Sequence, residues 1–314
     1  MSLLLIALAS SALGACVHSM IYTSRVEAAH PASGDLLEVD GHDVHIIETG
    51  PASGSPVLFI HGASANANEF TWTLGPRLES DHRILIADRP GHGYSDRAPN
   101  ADRLDVQAAQ LAGALGQKTG GRPAVVVGHS FGGAVALRLA LDHPDLVAGL
   151  VLLAPVSHDW GGGGQTWYNQ ITTTPLIGPA FSNLVPLVGP GLAEDGAAST
   201  FSPADVPEGY FDRSGTGLLF RPPNFRANAN DVVNVREELQ AQQARYGDLT
   251  MPIIVFSGLQ DTVIKPELHV GRLKDEAPNL ELIELPNGGH MPHHEVGADI
   301  AEAIARLAMG GEPR

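Results

Sequence analysis

A single cysteine, Cys16, stands in a chain of 314 residues. That excludes an internal disulfide and any metal site built from several thiolates. Basic side chains are scarce as well: 19 Lys and Arg face 35 Asp and Glu, a formal net charge of −16. A nucleic acid would be repelled, and no cluster of cations is present to neutralise its phosphates. Aromatic residues make up 5% and charged residues 17%, and no internal repeat is visible. With 43% hydrophobic residues, the chain has the material for a sizeable core and is not disordered.

The first residues differ from the rest. Residues 3–13 are an almost unbroken apolar run followed by Gly14-Ala15-Cys16, a pattern similar to a secretion signal. Leu13-Gly14-Ala15-Cys16 resembles the bacterial lipobox, which makes Cys16 a lipidation candidate. Residues 3–22 carry no Asp, Glu, Lys or Arg, and about 20 such residues can also span a bilayer as an uncleaved anchor. Both readings place the protein at the cell envelope, membrane-associated through its N-terminus, with the remainder outside the cytoplasm. Residues 1–22 are therefore expected to be a signal or anchor, and 23–35 a linker.

The rest of the chain is organised around Gly128-His129-Ser130-Phe131-Gly132. Three valines, Val125, Val126 and Val127, precede it, and an apolar helical pattern follows over 133–140. The stretch reads as a buried strand, a sharp turn and a helix. A residue on such a turn adopts a strained backbone that lifts its side chain clear of the sheet. The N–H groups of the following first helical turn have no intrahelical partner. A nucleophile, Ser130, and a donor for an oxyanion therefore come from one local structure.

Apolar β runs at 36–39, 44–49, 57–60, 83–87, 149–154, 252–256 and 280–285 flank this unit. Helical patterns occupy 68–78, 102–118, 231–246, 266–276 and 295–308. Alternation at this spacing predicts an α/β fold: a mostly parallel, eight-stranded sheet with helices on both faces. Such sheets carry ligands at the carboxyl ends of their strands. From 158 to 246 the rhythm breaks. Gly161 to Gly164 form a flexible run, Pro175, Pro179, Pro186 and Pro190 punctuate the segment, and over half of the aromatic residues fall in it. The expectation is a helical cap at 158–246, inserted between core segments 36–157 and 247–314.

A serine hydroxyl is a poor nucleophile without a base, and the base needs a third group to hold its tautomer. Asp261 follows the strand at 252–256, and His290 follows the strand at 280–285. In a parallel sheet both loops open on the edge where Ser130 lies. In this chain order, Ser then Asp then His, residues 36–310 resemble the α/β-hydrolase family. The resemblance implies Ser130 as nucleophile, His290 as general base and then acid, and Asp261 as the orienting carboxylate. It also implies an oxyanion hole from the amides of Ala63, in His61-Gly62-Ala63, and of Phe131. Asp159 stands where some members place their acid and is the alternative to Asp261. Asp88-Arg89-Pro90-Gly91-His92-Gly93-Tyr94-Ser95 resembles the family's D-x-P-G-x-G-x-S turn, with a structural role expected. His129 is expected beneath the elbow, and His293 and His294 at the entry to the last helix.

Within that family, serine at the nucleophile position separates this chain from dehalogenases and epoxide hydrolases, which carry aspartate there. The implied activity is cofactor-free hydrolysis of small or medium apolar carboxylic esters through an acyl-enzyme. Carbon–carbon bond hydrolysis or perhydrolysis on the same triad is the alternative. A metal hydrolase using His290, His293, His294 and Glu295 is disfavoured: the spacing is neither H-E-x-x-H nor H-x-x-E-H, and Pro292 opposes a helix presenting His290 and His294 together. No metal is therefore expected. A non-catalytic binding protein is disfavoured because all three triad positions are occupied.

Overall fold

A computed structural model describes residues 2–161 and 166–312. The side chains of residues 2–9, 11 and 12 lie outside that description, as do Gly162 to Gly164 of the expected flexible run. The chain opens with a helix, α1 (Ser2–Ala29). Strands β1 (Asp35–Val39), β2 (His42–Thr49), β3 (Ser55–Ile60) and β4 (His82–Ala87) follow. Then come α2 (Leu104–Thr119), β5 (Ala124–His129), α3 (Phe131–Asp142) and β6 (Val147–Leu153). The eight strands form one sheet in the order β1-β2-β4-β3-β5-β6-β7-β8, where β7 is Ile253–Gly258 and β8 is Leu280–Leu285. Pairing is antiparallel at β1–β2 and β2–β4 and parallel elsewhere.

The central strands are apolar on both faces because both faces are covered. Successive side chains alternate across the sheet: Leu58, Ile60 and Val126 pack under α2 and α3, whereas Val57, Phe59, Val125 and Val127 pack on the opposite face. There they meet Phe70, Leu74, Ile300 and Ile304. Ile300 and Ile304 belong to the last helix, Gly297–Ala308, whose buried positions recur at helical spacing.

Between β6 and β7 lies the helical insertion. It contains α4 (Trp167–Thr173), α5 (Ile177–Ser182), α6 (Val185–Phe201) and α7 (Pro222–Gln243). The expected helix at 231–246 thus begins much earlier, at Pro222-Pro223, where the fixed φ of proline suits a first helical turn. Its buried positions Asn224, Asn228, Asp231, Val235, Leu239 and Gln242 form one stripe. The polar half of that stripe hid the helix from a search for apolar periodicity.

Smaller differences have local causes. The expected helix at 68–78 is two turns, Asn68–Thr71 and Gly75–Leu78, with Gly75-Pro76 opening the second. The expected helix at 266–276 begins with a π turn, Glu267–Gly271. Pro292–Glu295 forms its own turn ahead of the last helix. α1 continues through 23–29, expected as linker, because its C-terminal half is tied to the insertion. Tyr22 donates to the carbonyl of Gly217 at 3.0 Å, and Glu27 pairs with Arg221 at 2.8 Å. Among the described residues, no helix is long and apolar enough to cross a membrane.

Candidate active site

The strand order reverses between β3 and β5, since β4 lies on the far side of β3. Loops leaving the carboxyl ends of two such strands diverge and leave a crevice. The loop after β3 carries His61-Gly62-Ala63, and the turn after β5 carries Ser130.

Ser130 has φ 53° and ψ −118°, a backbone state that a side-chain-bearing residue adopts only when its surroundings force it. Its N–H donates to Leu153 O at 2.9 Å, and its carbonyl accepts from Gly133 and Val156. The flanking glycines are steric necessities. A Cβ on Gly128 would lie 2.5 Å from the carbonyl of Gly132, and one on Gly132 would lie 2.2 Å from the carbonyl of Ile60. The N–H of Phe131, at the first position of α3, has no helix carbonyl within reach.

Asp261, after β7, and His290, after β8, meet across the sheet edge. His290 Nδ1 lies 2.7 Å from Asp261 Oδ2. The other carboxylate oxygen, Oδ1, accepts from the amides of Val263 at 2.8 Å and Ile264 at 2.9 Å. The carboxylate is thereby aimed, Nδ1 of His290 carries the proton, and Nε2 is left as the basic nitrogen. Asp159 does not join this arrangement. It pairs with Arg236 at 2.9 Å and Gln240 at 2.7 Å on α7, so the alternative acid faces the insertion helix. His129 lies beneath the elbow, its Nε2 donating to the backbone carbonyl of His290 at 2.9 Å. That bond ties the Ser130 turn to the His290 loop.

Arg89, in the turn expected to be structural, is fully buried. Its Nε donates to His61 O at 3.1 Å and its Nη2 to Gly62 O at 3.2 Å, while Cζ lies 4.4 Å over the Phe131 ring. In a trans peptide the carbonyl and the next N–H point to opposite sides. By holding Gly62 O, Arg89 turns the Ala63 N–H away from itself. The loop is close to Ser130: a Cβ on Gly62 would lie 3.2 Å from Ser130 Cβ.

Arg89 in turn is held by Asp231 of α7, Nη1 to Oδ2 at 2.6 Å, with Arg97 on Oδ1 at 2.7 Å. Asn228, one turn earlier, accepts from Ser64 N at 2.7 Å. The insertion helix thus grips the His61–Ser64 loop from two positions. Burial lowers the pKa of Arg89, and Asp231 opposes that shift. The polar stripe Asn224, Asn228, Asp231 was the available signal.

The rest of the Asp88-to-Ser95 turn is structural. Asp88 accepts from His45 Nδ1, Tyr94 N and Ala67 N. His61 Nε2 accepts from Arg89 N at 3.0 Å, so its Nδ1 must donate to Gly62 O, at 2.8 Å. Burial, then the Arg89 charge, pushes His61 down to about 3. His293 and His294 lie on the turn Pro292–Glu295 at the entry to the last helix. Both Nε2 atoms reach Glu69 Oε1, at 3.0 and 2.7 Å. Glu295 instead accepts from Gly289 N at 2.9 Å, bracing the turn before His290.

A family model described as "Alpha/beta hydrolase family" matches residues 57–303. The magnesium-chelatase 30 kDa subunit of Rhodobacter capsulatus is 43% identical over 103 residues, which is 32% of this chain and 36% of that protein. A 2-hydroxy-6-oxononadienedioate/2-hydroxy-6-oxononatrienedioate hydrolase from a Pseudomonas species is 25% identical over 277 residues, 82% of this chain and 88% of that one. Among solved structures, an esterase from Exiguobacterium antarcticum superposes with a TM-score of 0.68 at 19% identity, covering 88% of this chain and 100% of its own; at that identity the likeness shows the fold.

Proposed function

The chain belongs to the alpha/beta hydrolase family, and from that premise we propose that it is a serine hydrolase of apolar carboxylic esters. One observation carries the reading. His290 is oriented by an Asp261 carboxylate that two amides hold in place, and it is tied through His129 to the turn bearing the strained Ser130. In the proposed reaction His290 Nε2 takes the Ser130 hydroxyl proton as Oγ attacks the ester carbonyl. The Ala63 and Phe131 amides receive the oxyanion, each such donor being worth about 3 kcal/mol. His290 then passes its proton to the leaving alcohol. Water, activated by the same imidazole, releases the acid and restores Ser130.

Ser130 is only 8% exposed, so ester access is proposed to require a shift of the insertion. The apolar stretch and Cys16, exposed on α1, support a further proposal, a lipid tether that places the enzyme at the cell envelope. The similarity to the Pseudomonas hydrolase supports a second reading, in which the same three residues act on a carbon–carbon bond.

The test is labelling of purified protein by a serine-directed fluorophosphonate, together with turnover of p-nitrophenyl esters of increasing acyl length. Ser130→Ala is expected to abolish both while the melting temperature holds. Esterase activity surviving in that variant would refute the assignment.

A further inference from the structure

Three side chains outside the Ser130, Asp261 and His290 set converge on one point. Glu69 sits on the turn Asn68–Thr71 and is 1% exposed. His293 and His294 sit on the turn Pro292–Glu295. One ligand atom from each lies within 4.8 Å of the others. Tyr210, from the insertion, donates to the second oxygen of Glu69 at 3.1 Å. Among the described residues the ion-pair partners of Glu69 are these two histidines. With both imidazoles neutral, its buried negative charge has no cation beside it, an arrangement that is costly.

The proton positions add a second observation. His129 donates Nε2–H to His290 O, so its Nδ1 is a bare acceptor. If His293 donates Nε2–H to Glu69, its Nδ1 is a bare acceptor too. Both Nδ1 atoms are buried without a hydrogen-bond partner, and the two rings lie 4.8 Å apart, centroid to centroid. Two unpaired acceptors side by side in the interior carry the desolvation cost of each.

We propose that Glu69, His293 and His294 form a binding site for a first-row divalent cation, with zinc as the reference ion. Two imidazole nitrogens and one carboxylate oxygen suit zinc and its neighbours rather than calcium or magnesium, which take oxygen ligands. The 2+ charge answers the buried carboxylate. Coordination through Nε2 requires that nitrogen to be bare, so in each neutral imidazole the proton moves to Nδ1 and none is lost overall. His293 Nδ1–H can then donate toward His129 Nδ1. One of two unpartnered acceptors on adjacent rings becomes a donor, and the bound histidine is then able to take the outer partner that metal-bound histidines characteristically have.

The site joins three parts of the chain: the segment after β3, the loop carrying His290, and the insertion through Tyr210. The proposed role is to clamp the insertion onto the core beside the ester site. It does not depend on the serine chemistry.

The test uses the untagged full chain, stripped by chelator, dialysed and titrated with zinc chloride by calorimetry. One zinc per chain and a melting temperature that climbs with free zinc are expected. Glu69→Gln and His294→Leu are each expected to weaken binding by more than about 100-fold, beyond the loss typical of an outer partner. Should either variant fail to fold, nitrogen-15 spectra of the wild-type histidines decide: zinc should shift the His293 proton from Nε2 to Nδ1. No saturable binding at one equivalent, binding that survives in both variants, or a His293 tautomer that zinc leaves unchanged would overturn the proposal.

Discussion

Lowering the pH from 7 to 5 should destabilise this protein well before its carboxylates titrate, because several histidines are buried neutral. His61 is pushed down to about 3 by burial and then by the Arg89 charge, and His269 to about 4 by burial and then by His158. Unfolded, each has the ordinary pKa of about 6.5. Below that value the unfolded chain binds protons that the folded chain does not, so stability falls as pH falls, from 6.5 down to the folded values. At pH 5 each contributes a loss of about 2 kcal/mol, about 4 kcal/mol for the pair. That is a large share of the 5–15 kcal/mol typical of a domain.

His92 and His158 are lowered in the same way, chiefly by burial. His45 acts in the opposite sense: burial alone would lower it, but the bond to Asp88 leaves it raised, so its contribution strengthens as pH falls. The cause at His61 is visible in its bonds, since both nitrogens are committed and a second proton would face the Arg89 N–H. Urea unfolding followed by tryptophan fluorescence at pH 7, 6 and 5 measures the effect. His269→Gln, whose side-chain oxygen can still accept from Ser157 and His158, should remove about half of the pair's loss. Stability level within about 1 kcal/mol from pH 7 to 5 would refute the reasoning, as would an undiminished slope in the variant.

Asp231→Asn should cost about 3–5 kcal/mol in urea unfolding, because it leaves the fully buried Arg89 short of its carboxylate; a cost below about 1 kcal/mol would show the pair to be dispensable. Asp261→Asn should lower ester turnover by about 10⁴-fold through the wrong histidine tautomer, whereas Asp159→Asn should leave it near wild type; the reverse pattern in steady-state rates would reassign the acid. Cys16→Ser should move the protein from membrane to soluble fractions in cell fractionation. An unchanged distribution would remove the proposed tether.

Features that depend on near neighbours were readable in the one-dimensional pattern. The eight strands, the Gly128-to-Gly132 turn and the order of Ser130, Asp261 and His290 each follow from local periodicity or from loops placed at one sheet edge. The strained φ of Ser130 goes with a turn that closes only because Gly128 and Gly132, two positions to either side, carry no Cβ. By contrast, the Arg89–Asp231 pair spans 142 positions, and Glu69 meets His293 across 224. No spacing rule connects residues so far apart. Arg89 lay in a turn expected to be structural, and Asp231 in a helix whose polar half had no apolar period. Local chemistry determined which elements form and which loops carry reactive groups. Only the packing of the insertion on the switch point decided which buried charges meet, since a charge removed from water takes whatever partner the fold brings to it.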